Sequence, residues 1–242
     1  MSMTLLAGVV LALTAAVVVA IFMILWRERI SARESQIAVA SGVVLAAWAL
    51  VAATLARRGF FEQGDPNSVP PIGITLSLVL IALAACLLVS PSLRRLLTNQ
   101  KHLILLNLWR LVGAVFLLLM ANGQMPALWA LPAGIGDVIV GVMAPWIAAH
   151  LDTPQGRRNA VLFHLFGMAD LVVAVGLGIM TNPGPAQVFH TTPTSELATR
   201  FPLALVPTFL VPLAFVLHVV SLRQLLGESR VSQPVASPAR SR

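Results

Sequence analysis

Three ionisable residues lie deep within long apolar stretches: Arg110, Asp137 and Asp170. At the centre of a bilayer an ionisable group is costly unless paired or hydrated, so each needs a partner or a task. Arg110 neutralises one carboxylate, and the second acid is left over. Two readings fit that count. One is a structural staple, a cation held between acids. The other is a binding site, with an anion held by Arg110, or a proton or cation handled by the surplus carboxylate. Asn107 shares the helical face of Arg110, together with Gly113 and Ala114, and joins the candidate binding residues.

Their depths agree. A tight turn around Gly123–Gln124 makes the fourth and fifth helices antiparallel neighbours, with Arg110 about 14 residues before it and Asp137 about 13 after it. At ~1.5 Å rise per residue the two are level to within a few ångströms. Asp170 lies about 11 residues into the sixth helix and Asp137 about 12 from the end of the fifth. Small residues occupy the same faces: Ala133, Gly141, Ala144 and Ala148 beside Asp137, and Gly167, Ala174 and Gly178 beside Asp170. Such stripes let membrane helices approach closely. Both acids are expected to point into a bundle.

His164 and His218 form a second constellation near one end of the bundle. Facing histidines can ligate a haem or a metal ion. More often a histidine at that depth is a hydrogen-bonding residue, and two ligands are few, so no cofactor is expected.

The elements that must position these residues are membrane helices. Apolar residues make up 58% of the 242 and charged residues 10%, against about half and about a quarter in soluble domains. Seven stretches reach the roughly 20 apolar residues a span requires: Thr4–Trp26, Gln36–Ala56, Ile72–Ser90, Leu103–Ala121, Ala127–Ala149, Asn159–Met180 and Pro202–Leu222. The predicted fold is an all-α polytopic membrane bundle over residues 1–226, followed by a disordered cytoplasmic tail at 227–242. The first stretch has no basic n-region and too long an apolar core for a signal peptide, so it reads as a retained helix.

Cations set the direction. One set of connections holds Arg27, Arg29, Arg33, Arg94, Arg95, Lys101, Arg157, Arg158, and the tail residues Arg223, Arg230, Arg240 and Arg242; the other holds Arg57, Arg58 and Arg200, partly offset by Glu62, Asp65 and Glu196. That places the N-terminus outside and the C-terminus in the cytoplasm. The formal charge of +7 is spread in short clusters between apolar runs, which excludes a nucleic-acid face. The bilayer is the expected partner, with anionic lipid at the basic loops and tail. Pro91–His102 fits either a short interfacial helix or a plain basic loop. Cys86 is the sole cysteine, so no intramolecular disulfide forms.

Helix breakers gather late in the chain, at Pro132, Gly134 and Gly136 before Asp137, and at Pro202, Pro207 and Pro212. Prolines free backbone carbonyls, and broken helices beside buried charge occur at transporter sites, although a plain kink is the commoner meaning. Arg110–Asn122 matches Asp170–Asn182 at seven of thirteen positions, a faint sign of a repeat that would set Arg110 opposite Asp170.

The runs LPAGIGDVIVG (131–141), GMADLVVAV (167–175) and PTFLVPLAFVLHVVSLRQL (207–225) resemble a group of uncharacterised bacterial multi-pass membrane proteins, over roughly Leu103–Leu225. The resemblance implies a bacterial inner membrane and brings no activity with it. Microbial rhodopsins share the layout but need a lysine in the last helix, and Lys101 is the only lysine. Seven-helix zinc hydrolases need a paired histidine motif that His218 lacks. The first expectation is a small transporter or permease-like protein. The alternatives are a membrane enzyme acting on a lipid or isoprenoid, a haem-binding redox subunit, or an accessory subunit whose ion pairs only hold helices together.

Overall fold

The computed structural model describes residues 2–62 and 67–231, the last four by backbone only. Asp65 and the tail from 232, with Arg240 and Arg242, lie outside the described residues. Among those described there is no strand. The helices are α1 (Met3–Arg27), α2 (Ala32–Arg57), α3 (Pro71–Val89), α4 (Pro91–Leu96), α5 (Gln100–Leu105), α6 (Gly113–Ala121), α7 (Ala127–Ala149), α8 (Pro154–Thr181) and α9 (Val211–Val231). A 3₁₀ segment, Leu106–Val112, joins α5 to α6, and a π-turn, Val206–Leu210, leads into α9. Among the described residues seven helices are long and apolar enough to cross a membrane: α1, α2, α3, Gln100–Ala121, α7, α8 and Val206–Gly227.

Two helix ends differ from the sequence reading. Helix α8 begins at Pro154, capped by Thr153 Oγ1 on the Gly156 N–H, instead of near 159. The last span runs to Gly227 rather than 222, and α9 continues to Val231, so the tail expected from 227 begins as helix. Arginine stems reach along a helix end while their heads stay polar, so Arg157, Arg158 and Arg223 do not mark the boundaries.

The basic end of the bundle is tied by polar side chains. Ser31 and Glu34 form a capping box on α2, and the buried Glu34 pairs with Arg95 of α4. Leu96 is buried on α4 while Arg94 and Arg95 face outward, so the segment is a short helix and not an open loop. Gln224 on α9 donates to the Leu97 carbonyl (2.9 Å) and pairs with Gln100. At the opposite end, α6 stops in a Schellman turn. Gly123 has φ of 67°, and the N–H groups of Gly123 and Gln124 bond the Met120 and Leu119 carbonyls. This reverses the chain into α7 and sets the two helices antiparallel.

Proline chemistry places the last span. Pro212 has no N–H to give the Thr208 carbonyl four residues back. The indole N–H of Trp48 on α2 donates to that carbonyl at 3.1 Å. A carbonyl released within one helix is thereby satisfied by another.

Candidate functional site

Arg110 stands on the 3₁₀ segment, where the chain winds more tightly than an α-helix, and has 0% exposure. Its Nε donates to Asp137 Oδ1 on α7 at 2.6 Å, and its Nη2 pairs with Asp170 Oδ2 on α8. Its Nη1 donates to the Gly167 carbonyl at 3.1 Å and lies 3.2 Å from His218 Nε2 on α9. One guanidinium therefore joins four stretches of chain. The fork geometry of arginine suits this, because its donors point outward in one plane.

Each carboxylate gives Arg110 a single oxygen. No other hydrogen bond among the described residues reaches Asp137 Oδ2 or Asp170 Oδ1. Two missing side chains make the approach fit. A Cβ on Gly136 would collide with the Asp170 carboxylate, and one on Gly167 would lie 2.6 Å from His218 Cε1 and 3.2 Å from Arg110 Nη1.

The histidines extend the chain of contacts. His218 Nδ1 lies 2.8 Å from His164 Nδ1, with the rings nearly perpendicular at 74°. The directions of these bonds follow from Arg110, which can only donate. His218 Nε2 must accept, so His218 carries its proton on Nδ1 and donates it to His164. His164 then carries its own proton on Nε2. That atom is buried and has no hydrogen-bond partner among the described residues. Both inward lone pairs are already used, so the pair does not present two free nitrogens to a metal. The described residues contain no group of three or more His, Cys, Asp or Glu that could hold a metal ion.

Arg110, Asp137 and Asp170 are thus brought into one cluster, and so are His164 and His218, which the sequence had set apart near a helix end. In the structure His218 is nine residues from the end of Val206–Gly227 and His164 ten from the start of α8. Both lie deeper than the assumed boundaries implied. Asn107 does not join them. Its amide donates to the Leu103 and Ile104 carbonyls (3.1 and 3.2 Å), where α5 tightens into the 3₁₀ segment. Gly136 and the Gly167 carbonyl were missed as members of the site. The Pro-Ala-Gly-Ile-Gly-Asp run was the only signal for the first.

A cavity of about 220 Å³ reaches the cluster from the end opposite the basic one. It lies between α3, α7, α8 and the start of the last span, and its lining runs from Val69, Pro70 and Thr199 in the connections to Asp137 within α7. Phe116 and Trp129 form part of its wall, their ring centroids 5.1 Å apart. The Trp129 indole N–H is spent on the Ala174 carbonyl at 2.8 Å, which fixes the ring and ties α7 to α8. Asp137 is the one ionisable residue on this wall among the described residues.

The fold and site define an all-helical protein with seven candidate membrane spans and a buried ion cluster in its second half. Residues 69–226 match the model of the family described as Domain of unknown function (DUF8737), and the chain belongs to that family. No curated protein and no solved structure matches it.

Proposed function

We propose that the chain is a small permease-like carrier of the bacterial inner membrane, with its N-terminus outside, its C-terminus in the cytoplasm and its working site at Arg110, Asp137 and Asp170. The observation that carries this reading is the cavity, which ends on Asp137 rather than stopping short of the charged cluster. A cluster that served only to staple helices would need no access. With both acids ionised and the histidines neutral, the site holds one cation and two anions. Such a surplus inside a bilayer is costly, so the site gains from taking up a proton or a cation. Reversible uptake at mid-membrane is the elementary step of a carrier.

Purified protein in liposomes tests this through proton flux, driven by an imposed potential and by imposed gradients of cations, and read with an internal pH dye. Arg110→Leu, Asp137→Asn and Asp170→Asn are expected to abolish the flux in protein that still folds. If all three fold normally and every flux is unchanged, the carrier reading is wrong. Full burial of Arg110 favours a second reading, an accessory subunit held together by its ion pairs. That reading predicts no flux of proton or cation from the wild type.

A further inference from the structure

We propose that the cavity binds a small lipophilic monocation, a quaternary ammonium or protonated amine on an apolar body, in exchange for a proton. This rests on the carrier reading and names its substrate class. Besides Asp137 the wall is apolar, apart from a few neutral polar residues such as Asn182, Ser195 and Thr199. An anion would meet the surplus negative charge, and a zwitterion would find no second charge to pair with. A neutral ligand would leave the surplus as it was. A cation resolves it, and two aromatic residues, Phe116 and Trp129, line the same wall, the residue type that attracts a cation in a dry site.

Exchange follows from the count of charges. The groups that bear on Asp137 are Arg110 from the 3₁₀ segment, Asp170 from α8 and, through Arg110, His218 from the last span. α3 contributes only apolar residues and glycine to the cavity. His218 must accept from Arg110, so it adds no charge. One positive charge is missing, and one proton or one cation fills the place. The two therefore compete, and binding the cation sends a proton to water.

The test uses the full chain in phosphatidylcholine nanodiscs, with protein-free discs as the blank. Benzyltrimethylammonium is compared with neopentylbenzene, its uncharged isostere, by titration calorimetry, and proton release is read in weak buffer with a pH indicator. The cation is expected to bind at least about tenfold more tightly, the scale of one desolvated cation contact, and to release close to one proton. Asp137→Asn should remove the preference and the proton release. Val175→Phe, which narrows the wall away from the charges, should weaken both compounds. Equal binding of the isostere, or cation binding by wild-type protein with no proton released, overturns the inference. If flux still depends on Arg110, Asp137 and Asp170, only the substrate class has failed. If it does not, the carrier reading falls too.

Discussion

Helices α2 and α3 and the last four spans are all apolar enough to cross a membrane, yet they are used in opposite ways. No residue of α3 is buried, and 17% of the most apolar stretch of α2 is, against 61%, 50%, 33% and 56% along the last four spans in chain order. The glycines show why. Gly73 in α3 has open space where a side chain would be and Gly42 in α2 meets only Phe22 of α1, whereas Gly113, Gly134, Gly136, Gly141 and Gly167 each face another element of the last four spans at a distance no Cβ would tolerate. Hydropathy runs the opposite way to burial, since α3 is among the most apolar spans and α7 the least apolar. What makes a centre is small residues that allow contact and polar groups that require it. α1 is intermediate. Its stripe of Leu6, Val10, Val17, Ile21 and Leu25 joins the core, while its other faces stay open.

The sharpest way to break this contrast is Arg110→Leu. Two buried carboxylates would lose their cation, and removing one partner of a buried pair costs about 3–5 kcal/mol. Unfolding in mild detergent should register a loss on that scale; a small change would mean the cluster is not the centre of the bundle. Gly136→Ala comes next. Its Cβ would take the place of the Asp170 carboxylate, and overpacking of this kind costs about 1–3 kcal/mol. The same unfolding curve should shift, and the proton flux should fall with it. Trp48→Phe is milder. It leaves the Thr208 carbonyl without its donor, a loss of about 1 kcal/mol. On α3, Ile81→Ala removes an outward side chain and is expected to stay within about 0.5 kcal/mol. A large effect there would show that α3 is not peripheral. The finest comparison reads single protons. Nitrogen NMR of histidine-labelled protein should find His218 protonated on Nδ1 and His164 on Nε2, and the reverse pairing would remove the hydrogen-bond direction derived from Arg110.

Much of this was legible in the sequence. Seven apolar lengths gave the seven candidate spans, and counting residues from the Gly123–Gln124 turn placed Arg110 level with Asp137. The small-residue stripes correctly turned both acids inward. The link between Arg110 and His218 was not legible. It depended on where α8 starts and the last span ends, and arginines at helix ends blurred both limits. Asn107 was misjudged for a different reason. It shares the face of Arg110, but a change of winding between α5 and α6 left carbonyls that its amide satisfies. No local pattern announced that change. The cavity was out of reach as well, since it arises from how α3 stands off α8 rather than from any run of residues.

That change of winding has a mechanical consequence. A 3₁₀ helix turns about 120° per residue and rises about 2.0 Å, against about 100° and 1.5 Å for an α-helix. If the seven residues Leu106–Val112 rewound as α-helix, the segment would shorten by about 3.5 Å and rotate by about 140°. The chain here behaves as a threaded screw with Arg110 as its locking pin. While Arg110 holds Asp137, Asp170 and His218, the thread is fixed. Rewinding would require those bonds to open together, and it would pull on the ties that Glu34–Arg95 and Gln224–Leu97 make at α4.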